Sequence, residues 1–64
     1  MPKTDVTVKL AGRDGNAFAI MGAVKKALRQ AGQHRELIDM YIEEAASGDY
    51  DHLLQVTMNY VNVE

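Results

Sequence analysis

Val6, Val8 and Leu10 alternate with Thr7 and Lys9 near the start of the chain. A period of two predicts a strand with one buried face. The alternation stops at Ala11-Gly12-Arg13-Asp14-Gly15-Asn16, where two glycines and the Asp/Asn pair predict a turn. Asn16 stands where its side chain can accept a bond from a free backbone N–H of the next helix. The period then becomes 3.6. From Ala17 to about Ala31, one face gathers Ala17, Ile20, Met21, Val24, Ala27, Leu28 and Ala31, while Lys25, Lys26, Arg29 and Gln30 fall opposite. Gly32 predicts a left-handed stop.

A second helix is predicted from Arg35 to Ser47, with Leu37, Ile38, Tyr41, Ile42 and Ala45 inward. Glu36, Asp39 and Glu43 face away together with Met40, and Glu36 suits the positive end of the helix dipole. His34 either caps this helix or begins its buried face. Ser47-Gly48 ends it, and Asp49 reads as the cap of a short third helix from Tyr50 to about Met58. Tyr50, Leu53, Leu54, Thr57 and Met58 share the apolar face predicted for that helix. Tyr60-Val61-Asn62-Val63 alternates again and is rich in strand formers, although Val61 also continues the helical stripe. The expected fold is therefore α+β, in the order β-α-α-α-β. Its two-stranded sheet, with both edges open, is one that a second copy could extend.

Length bears on stability. A chain of 64 residues makes a single domain. At this size only about 60% of the unfolded chain's surface is buried, and small domains usually add disulfides, metals or a partner chain. The chain has no cysteine, which excludes disulfides, thiolate metal sites and Cys nucleophiles, and leaves self-association as the expected supplement. The longest apolar run, Ala17 to Ala23, contains a glycine and is far short of a membrane span. The first residues lack the apolar core of a signal peptide. A cytoplasmic location without membrane contact is expected.

The net charge of −2 conceals a polarity. All seven basic residues lie at or before Arg35, opposed there by Asp5 and Asp14 alone. Beyond Arg35 stand Glu36, Asp39, Glu43, Glu44, Asp49, Asp51 and Glu64 with no base among them. Such an arrangement either neutralises itself within the fold or marks a polar partner.

Candidate chemistry is sparse. The Gly12–Asn16 turn fits neither a phosphate loop nor a dinucleotide fingerprint, and Asp14 would repel a phosphate. Asp49, Asp51 and His52 are potential metal ligands, but capping and first-turn placement explain the two acids, and no further ligand is near in sequence. Ser47 is the sole serine and no nucleophile–base pair is evident. No cofactor, metal or catalytic residue is expected, and the chain is not expected to be an enzyme. One patch stands out. Phe18 projects near Lys25 and Arg29, off the apolar stripe, and Gly22 lies beside them in mid-helix, where it costs about 1 kcal/mol relative to alanine. Ala19, Gly22 and Ala23 form a small-residue face that another backbone could approach. Phe18, Gly22, Lys25, Lys26 and Arg29 are the candidate partner-binding residues, for a protein or a second copy, or alternatively for nucleic acid through base stacking and phosphate contacts.

Val6-Thr7-Val8-Lys9-Leu10, Asp14-Gly15-Asn16-Ala17-Phe18 and Ser47-Gly48-Asp49-Tyr50-Asp51-His52-Leu53-Leu54 together resemble a group of small bacterial proteins with this order of segments. That group has no established activity, so the resemblance implies no site residues. A strand followed by two helices is also similar to the ribbon-helix-helix repressors, which would imply DNA reading by Thr7 and Lys9. The chain departs from that pattern in its long loop, its third helix and second strand, and in Asp5 on the strand's polar side. The function expected is that of a non-catalytic protein-interaction or regulatory module, homodimeric, with a nucleic-acid-binding regulator as the alternative.

Overall fold

The computed structural model describes residues 2–12 and 15–64, so Arg13 and Asp14 of the predicted turn lie outside the described residues. The element order is β1 (Thr7–Val8), α1 (Ala17–Gln30), α2 (Arg35–Ala45), α3 (Tyr50–Tyr60) and β2 (Asn62–Val63). The expected β-α-α-α-β order is present, and the two strands form one sheet.

The strands run parallel, with Thr7 opposite Asn62 and Val8 opposite Val63. Parallel neighbours need a long crossover, and here the three helices are that crossover. Pairing extends past the short strands: the Asn62 amide donates to the Val6 carbonyl (2.8 Å), Glu64 to Val8 (2.9 Å) and Leu10 to Glu64 (2.9 Å). Upstream, the Lys3 amide donates to the Asn59 carbonyl (2.8 Å), and the Thr4 hydroxyl to that of Tyr60 (2.7 Å). These bonds satisfy carbonyls that the end of α3 would otherwise leave without partners.

Local signals set the helix ends. Asn16 Oδ1 accepts from the Ala19 amide at 2.8 Å, and Asp49 Oδ1 from the His52 amide at 2.9 Å. Gly32, at φ +79°, closes α1: its amide donates to the Arg29 carbonyl and the Gln33 amide to that of Leu28. That bond pattern is a Schellman motif, and its left-handed residue explains the glycine. His34 occupies the cap position of α2 but makes no capping bond from its side chain among the described residues.

The core joins Ile20, Val24 and Leu28 of α1 to Ile38, Tyr41 and Ala45 of α2, and to Leu53, Val56 and Tyr60 of α3, with Val8 and Val61 closing it at the sheet. Spacings of three and four place each set on one helical face. Several expectations need correction. The third helix continues to Tyr60 instead of stopping near Met58, and β2 begins only at Asn62. The cause is tertiary: the Tyr60 ring packs edge-on against Tyr41, centroids 5.3 Å apart, and Lys3 Nζ lies 4.9 Å from its centroid. The face of α3 is accordingly Leu53, Val56, Thr57 and Tyr60, while Met58 and Tyr50 are exposed. The second helix also stops at Ala45, two residues short of the expected Ser47, whose amide turns back to the Glu44 carbonyl.

The Tyr60 hydroxyl is buried with no hydrogen-bond partner among the described residues. Phenylalanine would keep both ring contacts and remove a desolvated polar group. Tyr60→Phe is expected to raise the unfolding free energy by about 1 kcal/mol, read from the urea midpoint; a lower midpoint would show that the hydroxyl is satisfied in solution.

Candidate interaction surface

Burying Ile20, Val24 and Leu28 turns the opposite face of α1 to solvent. Phe18, Gly22, Lys25 and Arg29 follow one another there at steps of four, three and four, a single helical stripe. Phe18 does not fold back over the core: it is 86% exposed. A Cβ added at Gly22 would meet nothing within 4 Å among the described residues, so no contact inside the chain requires that glycine. Lys26 leaves the stripe and faces a cleft beside Thr7, Lys9 and Gln30. Ala23 lines that cleft too and packs on the core, so the small-residue face is partly used by β1 and partly open at Gly22.

Phe18 stands on the rim of an apolar recess of about 310 Å³. The start of α1 supplies Met21, the end of α2 Ala45 and Ala46, and the start of α3 Tyr50 and Leu53. Three helix termini meet here because α1 and α2 are antiparallel and α3 turns back after Gly48. Side chains hold the junction. The Tyr50 hydroxyl donates to the Gly15 carbonyl, tying α3 to the entry of α1. Ser47 Oγ donates to the Glu44 carbonyl at 2.7 Å, and His52 Nε2 lies 3.0 Å from the same oxygen. A Cβ at Gly48 would sit 2.7 Å from the His52 ring, so that approach demands glycine.

The junction also brings Ser47 Oγ within 3.1 Å of His52 Nε2, a serine–histidine pair that the sequence did not reveal. A carbonyl only accepts, so Nε2 carries its proton toward Glu44 and is not a free base for the serine. The two side chains join the Ser47 amide on the Glu44 carbonyl, which lies past the last full turn of α2. Asp49 is engaged as a cap, and Asp51 lies exposed in the first turn of α3. Among the described residues no group of three or more His, Cys, Asp or Glu side chains could hold a metal ion.

At the other end of the α1–α2 pair, Lys25, Arg29 and Arg35 surround a cleft of about 350 Å³ with Ile38 and Asp39. Arg35 and Asp39 pair at 3.9 Å, but both are so exposed that the contact contributes little to stability. The outer face of α2 presents Glu36, Asp39, Glu43 and Glu44 around an exposed Met40. The chain thus carries its basic and acidic faces on adjacent helices. Among the described residues no helix is long and apolar enough to cross a membrane.

The five residues picked out in the sequence are all on the surface, four of them in one line. The recess beside them was missed, because it is assembled from three helix ends and because Tyr50 was placed on the buried face. No protein-family model, curated protein or solved structure matches the chain.

Proposed function

We propose that the chain is a non-catalytic interaction module of the bacterial cytoplasm that acts as a homodimer through the outer face of α1. The observation that carries this reading is Phe18, an almost fully exposed aromatic at the edge of an apolar recess. Aromatic residues at such positions are common anchors of protein contacts. The thin core of a 64-residue domain and the open Gly22 surface support it further. The acidic face of α2 around Met40 remains for a further protein partner.

A second reading, a nucleic-acid-binding regulator, draws on the convergence of Lys25 and Arg29 with Arg35 at one cleft. Asp39 in that cleft and the acidic face beside it would repel a phosphate backbone. Sedimentation velocity at low micromolar concentration separates the two when run with and without labelled DNA and RNA at two salt concentrations. A species of twice 7.1 kDa that ignores nucleic acid is expected. A monomer that binds in a salt-sensitive manner, and loses binding in Lys25/Lys26/Arg29→Ala, would replace the first reading with the second.

A further inference from the structure

The cleft between β1 and α1 lies apart from the Phe18 stripe, and what it holds does not depend on whether the chain is a dimer. Its strand wall is an open ladder. The Asn62 amide donates to the Val6 carbonyl and the Glu64 amide to that of Val8, so Val6 and Val8 turn their backbone groups toward β2. Successive strand residues alternate in this respect, and Thr7 therefore turns its amide and carbonyl away from β2. Among the described residues nothing is hydrogen-bonded to either group. The cleft, of about 230 Å³, opens on that side. Thr7 and Lys9 form one wall and Lys26 and Gln30 of α1 the other, while Ala23 and Ala27, which also pack on the core, are too small to fill it. An unpaired strand edge is a template for one more strand. Extended peptides dock in this way, the main-chain bonds giving affinity and the neighbouring side chains specificity.

Two observations choose the occupant. A second copy could not bring its own β1 to this edge by twofold pairing, because its α1 would come too. Each α1 flanks the outer edge of its own β1, so pairing the two edges would drive both helices into the same space. A single extended segment carries no such helix. The charge is also one-sided: Lys9 and Lys26 line the cleft and no acidic residue does. The acid nearest to Thr7 in sequence, Asp5, stands two positions before it and outside the lining. The backbone groups call for an extended chain, and the lysines call for acidic side chains along it.

We propose that an acidic, extended segment of a partner protein adds to β1 as a third strand, lying in the cleft against α1 with its carboxylates at Lys9 and Lys26.

The probe is a short, capped, fluorescent peptide of alternating threonine and glutamate, with lysine replacing glutamate in the control peptide. Fluorescence anisotropy is expected to show saturable binding of the acidic peptide that weakens with salt. In amide NMR spectra the signals of Thr7, Lys9 and Lys26 should shift on titration. Thr7→Pro removes the outward amide without touching a bond to β2, and is expected to abolish binding. Lys26→Glu, at an exposed position, should weaken it by about tenfold or more. Circular dichroism checks that both variants stay folded; if Thr7→Pro does not, the Thr7 amide shift in the unmodified chain decides. Equal binding of the lysine peptide, no binding at millimolar peptide, or shifts confined to other residues would overturn the proposal. So would a Thr7 amide that shifts with single-stranded RNA but not with the peptide, which gives the cleft to nucleic acid. A Thr7 amide that shifts with protein concentration alone would likewise give the edge to a second copy. The homodimer at the outer face of α1 is tested separately by sedimentation, and it stands or falls without this cleft.

Discussion

Leu28→Ala is expected to remove a large share of the unfolding free energy and to lower the urea midpoint accordingly. Leu28 is fully buried in the core, and its carbonyl also accepts the Gln33 amide that closes the helix. Truncating a leucine at such a site costs about 2–5 kcal/mol, because apolar burial is lost and a cavity remains. The margin available is small. At about 0.05–0.15 kcal/mol per residue, a domain of this size has roughly 3–10 kcal/mol in total. Urea unfolding followed by circular dichroism, at one protein concentration throughout, checks the figure. The neighbouring Arg29→Ala, on the exposed stripe, is the control and should stay within about 0.5 kcal/mol of the unmodified chain. A Leu28→Ala midpoint equal to that of Arg29→Ala would show that the core lies elsewhere.

Thr57→Val should have the next largest effect, about 1–3 kcal/mol. Inside the core the Tyr41 hydroxyl lies 2.7 Å from Thr57 Oγ1, and Thr57 in turn donates to the Leu53 carbonyl at 2.9 Å. The proton of Thr57 is thereby committed to Leu53, which makes Tyr41 the donor of the shared bond. Valine has nearly the same shape but cannot accept, so Tyr41 would be left buried with an unsatisfied O–H. Adding Tyr41→Phe removes that orphan and is expected to restore most of the loss, giving a clear coupling in a double-mutant cycle. Simple additivity of the two changes would show that the bond is absent.

The same tyrosine makes stability depend on alkaline pH. Burial, which penalises the charged phenolate, raises the Tyr41 pKa above 10.0. The folded state therefore holds this proton more tightly than the unfolded state. Its contribution is complete below the unfolded value of about 10 and is lost as pH rises through the folded one. In urea titrations the unmodified chain should weaken above about pH 10, and Tyr41→Phe should weaken less over the same interval.

How far the fold was legible in the sequence depended on where each signal came from. In α1 everything was local: Asn16 before it, Ile20, Val24 and Leu28 along one face, and Gly32 after it. Tyr60 shows the opposite case. Its neighbours Val61 and Val63 favour a strand, but its ring is held by Tyr41, 19 positions away in sequence, and that contact carries the helix to its end. Local propensity carries no information about a partner so distant. The direction of the sheet was hidden for the same reason, since nothing in either strand records which way the other runs. Of the candidate surface, the stripe could be counted off by helical spacing. The recess could not, because Met21, Ala46 and Tyr50 are brought together only by the turns between helices.

The pairing of Thr7 with Asn62 and Val8 with Val63 has a consequence for how the protein is made. Helix–helix contacts join segments close along the chain and form early, whereas this strand pair closes a loop spanning most of it and must come late. On the ribosome, β1 is made before the three helices and β2 after them, so β1 waits for its partner until residues 62–64 have cleared the exit tunnel. The interval in which β1 is left alone is when its bare edge is most exposed to pairing with the wrong neighbour.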